Sequence, residues 1–193
     1  MYLSDVVSYV LPSSIAELSQ IVFSETPKME ISAENHGSEE TQLIAAIGFS
    51  GSFSASLALA TGNVAACALV SRMLGGNIQR VSQDVVDGVA ELVNMLAGVT
   101  KTKFSEKSYS LTLSLPTIIT GNNAVSVRQP MKSEKMVYSV NMKDFSFAVH
   151  FFYSLSDENQ TSLAQSMAES ARISLGHRAA QALQDLLSGK KQT

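Results

Sequence analysis

QLIAAIGFSGSFSASLALA, residues 42–60, carries the first fold signal in the chain. In its second arm Phe53, Ala55, Leu57 and Leu59 alternate with small residues, the period-2 pattern of a strand with one buried face. Ser50-Gly51-Ser52 supplies the turn between arms at 42–49 and 53–60, so the segment is a β-hairpin. Immediately after it, Thr61 to Asn63 can cap a helix through Leu74, which Gly75-Gly76 ends by offering left-handed backbone. Ser82 opens a further helix to about Val99, with Asp84 and Asp87 near its positive end.

Before the hairpin, SSIAELSQIVFSE (13–25) has Ile15, Leu18, Ile21 and Val22 at helical spacing behind a Ser-rich start, and 28–33 suits a short strand. Downstream, residues 108–119, 123–129, 136–142 and 145–153 are rich in β-formers and are broken by Gly121-Asn122, Pro130 and Asp144. From about Ser156 the chain returns to helix, with Leu163, Met167, Ala171, Leu175, Ala179 and Leu183 recurring every four positions. The predicted fold is α/β, in the α+β sense: a largely antiparallel sheet with helices packed on one face, plus a C-terminal amphipathic helix. Residues 1–154 form the domain and 155–193 an extension.

SSIAELSQIVFSET (13–26) also lies over DGVAELVNMLAGVT (87–100), 74 positions later, sharing Ala, Glu, Leu and Thr. Both copies precede strand-forming sequence. This suggests two pseudo-symmetric helix-plus-hairpin halves.

Composition removes several function classes. The chain has 193 residues, 45% of them apolar, and a formal net charge of -3, with Lys and Arg scattered, so no basic footprint for nucleic acid exists. Cys67 is the one cysteine, which excludes an internal disulfide and a Cys-rich metal site and fits the cytoplasm. MYLSDVVSYVLPSSI (1–15) lacks a basic n-region, and no apolar run approaches the roughly 18–20 residues of a membrane span. Neither secretion nor membrane insertion is expected.

On the helix from Ser82, Val85, Val86, Val89, Leu92, Val93, Leu96 and Val99 share one arc at 100° per residue. The opposite arc holds Asp84, Asp87, Glu91, Asn94, Gly98 and Lys101, so Glu91 and Asn94 project side by side. Gly98 a turn later leaves room for another surface to approach, and Asp84, Asp87, Gly98 and Lys101 are candidate supporting or interface residues. A polar stripe is the ordinary solvated face of an amphipathic helix, and spacing alone leaves that reading open. A carboxylate beside a carboxamide can nonetheless pair with a partner's cation while the amide holds a water. Such a pair could orient an attacking water with no nucleophile or metal of its own.

DVVDGVAELVNMLAGVTKTKF (84–104), with Pro116 on the strand that follows, resembles the signature of the CheC/CheX/FliY phosphatases of bacterial chemotaxis. That motif is Asp or Ser, three residues, Glu, two residues, Asn, and Pro some two dozen residues later; Asp87, Glu91, Asn94 and Pro116 stand at those places. The hairpin IAAIGFSGSFSASLALAT (44–61), the helix NVAACALVSRMLGG (63–76) and FSFAVHFFY (145–153) resemble the CheX branch. The likeness spans about residues 10–154.

The resemblance implies hydrolysis of the aspartyl phosphate on a CheY-like response-regulator receiver, at the receiver's own active site. Glu91 would pair with the receiver's Lys and Asn94 would orient the water. The receiver would bring Mg²⁺, and this chain would hold neither metal nor cofactor. Asp87 would support the helix start or interface, Pro116 would be structural, and a homodimer joined at a sheet edge is implied. Where a second motif would stand, the first helix has Ser13, Glu17 and Gln20. Gln20 extends its amide by one methylene, so this copy reads as degenerate. The alternative is a non-catalytic adaptor or flagellar-switch module of the same fold.

Other residues carry less. His36, His150 and His177 are scattered, with no partner at metal-ligand spacing. GFSGS (48–52) is followed by strand rather than helix, so it is no nucleophile elbow. Gly75-Gly76-Asn77 is a helix stop with no phosphate-binding motif around it.

Overall fold

A computed structural model describes residues 2–32, 41–122, 125–126 and 133–155. The chain divides into two units, Met1–Ser154 and Leu155–Thr193. The amphipathic segment from Ser156, with His177, lies outside the described residues, as does His36.

The element order is α1 (Leu3–Phe23), β1 (Lys28–Ile31), β2 (Leu43–Gly51), β3 (Phe53–Thr61), α2 (Asn63–Leu74), α3 (Gln83–Glu106), β4 (Leu111–Leu113), β5 (Thr117–Thr120), β6 (Glu134–Asn141) and β7 (Ser146–Leu155). The strands form one seven-stranded sheet in the order β1-β6-β7-β3-β2-β4, with β5 also paired to β2. β1 with β6, β2 with β3, β4 and β5, and β6 with β7 are all antiparallel.

The sheet order is nearly a palindrome. β1, from the first half, flanks the β6–β7 hairpin of the second, while β4 and β5 of the second flank the β2–β3 hairpin of the first. The weak repeat between residues 13–26 and 87–100 therefore has a structural counterpart, with α1 and α3 packed against one another. Each half lends its short strand to the other, so neither hairpin is left to stand alone.

Alternation along the strands sorts the side chains to two faces. Leu43, Ala45, Ile47 and Phe49 of β2 and Phe53, Ala55, Leu57 and Leu59 of β3 join the apolar faces of all three helices in one buried cluster. Ile44, Ala58 and Ala60 point the other way, into a smaller cluster. At the centre of the main cluster the rings of Phe53 and Phe104 meet edge to face at 5.1 Å, and Phe104 stacks on Phe151 at 6.0 Å.

Several expectations need correction. α1 starts at Leu3, ten residues before the Ser-rich stretch, because Val6, Val7, Val10 and Leu11 extend its buried stripe. Ser14 is buried within it, its hydroxyl donating to the Val10 carbonyl at 2.8 Å instead of capping anything. Pro12 lies inside the helix, where burial of that stripe outweighs the missing N–H. At 21 residues, with a mean hydropathy of 1.4 over an 18-residue window, α1 is long and apolar enough to cross a membrane, contrary to the sequence reading. Half of that window is buried inside the domain, where its apolar side chains form core.

At α2 the N-cap is Gly62, and the Asn63 N–H is accepted by the Gln42 side chain at 3.3 Å, so a neighbouring segment supplies the cap. Gly75 closes that helix in the left-handed conformation, as expected. α3 continues to Glu106, since Thr100 and Phe104 keep its buried face going. The expected strand 108–119 is two strands separated at 114–116, where Pro116 has no N–H to give the ladder. Ser114 bridges the break: its N–H donates to the Gly48 carbonyl and its hydroxyl accepts from the Gly48 N–H, each at 2.9 Å. Of the expected strand 123–129, Val125 and Ser126 are not strand, and the rest lies outside the described residues.

Candidate active site

α3 holds the candidate residues rigidly because its other side is fixed in the core. Val85, Val89, Leu92, Val93, Leu96 and Ala97 are buried, while Val86 and Val99 are only half-buried. Asp84, Asp87, Glu91, Asn94 and Lys101 are all exposed, and Gly98 is half-exposed among them. The predicted polar stripe is thus a real surface.

Within it the side chains differ in how they are held. Asp87 accepts a hydrogen bond from the Gln83 amide at 2.8 Å, one turn earlier, which ties it into the start of the helix. Among the described residues, Glu91 and Asn94 make no side-chain hydrogen bond or ion pair. One carboxylate and one carboxamide are therefore presented about 5–6 Å apart at Cβ, free to engage a partner. Pro116 lies in the break between β4 and β5, not on a strand, and is half-buried there.

The second copy of the pattern is differently placed. Glu17 and Gln20 are exposed on α1 and Ser13 is half-buried. Lys103 of α3 donates to the Glu17 carboxylate at 2.6 Å, and that hydrogen bond raises the pKa of the Lys103 ammonium. The Glu17 carboxylate is already neutralised from within the chain.

Lys103 was not visible as a partner in the sequence. It lies about 160° around α3 from Asp87, so only the packing of α3 on α1 brings it to Glu17. A second such cation is Arg72 of α2, which binds Glu25 at 2.6 Å and the Phe23 carbonyl at 2.7 Å. Its guanidinium also lies over the rings of Phe23 and Phe145. The Arg72 hydrogen bond holds the Glu25 carboxyl below its usual pKa; desolvation opposes this and the Lys143 N–H, at 2.7 Å, adds to it.

Chemistry of other kinds finds little here. Among the described residues no three His, Cys, Asp or Glu side chains gather as a metal site. His150 is buried on β7 and stacks on Phe152. Burial pushes the Cys67 thiol up, which disfavours the reactive thiolate. A cavity of about 670 Å³ is lined by Thr41, Gln42, Gly62, Asn63 and Val64 on one side and Asp144 to Ala148 on the other, away from α3.

A mixed sheet-and-helix domain with paired helices over an antiparallel sheet is the CheC-like fold, and solved structures share it. One is a CheC-like superfamily protein from Shewanella sp. PV-4, with TM-score 0.68 and 19% identity, covering 80% of this chain and 99% of that one. Another is the chemotaxis protein CheX from Desulfovibrio desulfuricans, with TM-score 0.66 and 21% identity over 78% of this chain and 99% of that one. A third is CheX in a complex with CheY, BeF₃ and Mg²⁺ from Borrelia burgdorferi, with TM-score 0.62 and 15% identity over 75% and 95%. No curated protein matches the sequence. The family model for the chemotaxis phosphatase CheX matches residues 43–141, and the chain belongs to that family.

Proposed function

We propose that this chain is an aspartyl-phosphate phosphatase acting on a phosphorylated CheY-like receiver domain in chemotaxis or related two-component signalling. The observation that carries the reading is the state of Glu91 and Asn94: adjacent on the exposed face of a core-anchored helix, and without a side-chain hydrogen bond or ion pair among the described residues. The CheX–CheY complex among the structural relatives supports a receiver as partner.

In this mechanism the Glu91 carboxylate pairs with the receiver's active-site Lys ammonium and fixes the register of the two proteins. The Asn94 amide accepts a hydrogen bond from a water and sets its oxygen in line with phosphorus. A water-oxygen to phosphorus bond forms, the bond from phosphorus to the aspartyl oxygen breaks, and the Asp carboxylate leaves with the electron pair. Inorganic phosphate departs with the water's oxygen and both of its protons, as dihydrogen phosphate. The receiver supplies Mg²⁺, which would neutralise charge on the phosphoryl oxygens. Asp87 steadies the helix start through Gln83, and Pro116 acts structurally by ending β-pairing.

We assign this activity to residues 1–154, to a cytoplasmic protein and to a homodimer. β1, at one end of the sheet order with Ile31 70% exposed, is the edge that supports pairing of two copies. No nucleic acid or membrane is required.

The test is phosphoryl decay on Mg²⁺-loaded receivers from the same organism. Faster decay with the wild-type chain, lost in Asn94→Ala and Glu91→Ala, supports the phosphatase. A receiver that binds with no faster decay replaces it with the adaptor.

A further inference from the structure

α3 contains two glycines within its helical span, and only one has a packing reason among the described residues. A Cβ on Gly88 would lie 2.8 Å from both Cγ1 and Cγ2 of Val70, so that glycine lets α2 lie close against α3. A Cβ on Gly98 would meet nothing within 4 Å among the described residues, and the backbone there has ordinary negative φ. Thr102 donates to the Gly98 carbonyl at 3.1 Å, a bond any residue at 98 would keep. Glycine in the middle of a helix destabilises it relative to alanine. Neither packing among the described residues nor backbone strain offsets that cost.

The position of Gly98 supplies the missing reason. It stands one turn after Asn94 on the same exposed row. Helical side chains lean back toward the N-terminus, so a side chain at 98 would cover the surface over the preceding turn, beside the Asn94 amide. Glycine keeps that surface bare.

Resting on the phosphatase reading, we infer that Gly98 is a docking notch: the bare helix backbone between Asn94 and Lys101 receives the receiver's surface and lets the phosphoryl group come within reach of Asn94. The notch sets how closely the two proteins approach and takes no part in the bond changes. Lys101, exposed at its far edge, gives the face an acidic end at Asp84 and Asp87 and a basic end at Lys101. That polarity favours one orientation of the receiver.

Gly98→Ala and Gly98→Leu in the full chain test this, with melting temperature and steady-state kinetics on the receiver the wild-type protein dephosphorylates. The expected result is a melting temperature equal to or above wild type for both, with KM raised about threefold for Ala and more than about tenfold for Leu, on the scale of overpacking a close contact. With receiver saturating, kcat falls as well for Leu, because the larger side chain holds the phosphoryl group farther from Asn94 in the bound complex. An unchanged KM in Gly98→Leu overturns the notch while leaving the phosphatase intact. Both fall if the wild-type chain accelerates decay on no receiver, whereas a lowered melting temperature in Gly98→Ala shows an internal role for the glycine and overturns the notch alone.

Discussion

Lys103 of α3 donates to Glu17 of α1 at 2.6 Å, across the contact between the two helices that the internal repeat relates. Glu91, 74 positions after Glu17, has no such cation among the described residues. Two carboxylates at equivalent places in a repeat thus differ in availability: one is neutralised inside the chain and one is open to a partner. That asymmetry supports a single working face, quite apart from the extra methylene of Gln20.

Gln20→Ala is expected to leave phosphoryl decay unchanged. Gln20→Asn alone should create no second site, because Glu17 remains bound to Lys103. Combining it with Lys103→Met releases Glu17, and a rise of up to about twofold over wild type, in the Asn94-intact chain, would reveal a restored second face. Decay assays on the three variants at equal protein concentration decide this.

Asn94→Ala should lower the rate by on the order of 10²-fold through lost positioning, with stability unchanged within about 0.5 kcal/mol because the side chain is exposed. Urea unfolding measured beside the decay assay separates the two effects. Asn94→Gln, which moves the amide outward, should fail almost as completely.

The Arg72–Glu25 pair predicts an acid dependence of stability. The folded pKa of Glu25 lies below its unfolded value, chiefly through Arg72. The stabilising contribution is therefore complete above the unfolded carboxylate pKa, about 4.3, and is lost as pH falls through the lowered folded value. Glu25→Gln should be less stable than wild type at pH 7, and the difference should vanish in strong acid. Denaturant midpoints across pH, compared pairwise, measure it.

Phe104→Ala should cost about 3–5 kcal/mol, because the ring is fully buried where α3 meets the sheet and contacts Phe53, Tyr109 and Phe151. Phe104 lies ten residues beyond Asn94 on the helix that carries the site. A weakened anchor there should lower the melting temperature, and activity should fall only on approaching the unfolding transition.

By itself the sequence determined the hairpin at β2–β3, the glycine stop after α2, the two-faced character of α3 and the adjacency of Glu91 and Asn94. Each depends on local periodicity or on backbone preference at one residue, and those act over a few neighbours. Tertiary structure alone decided where α1 begins, since Val6 to Leu11 become a helical stripe only when the sheet is there to bury them. It decided how the half-chains exchange their short strands, because strand order depends on contacts far apart in sequence. It also decided which carboxylate is free: Glu17 and Glu91 look alike along the chain, and only the packing of α3 on α1 carries an ammonium to one of them. Electrostatic pairing depends on distance in space, which sequence position does not fix.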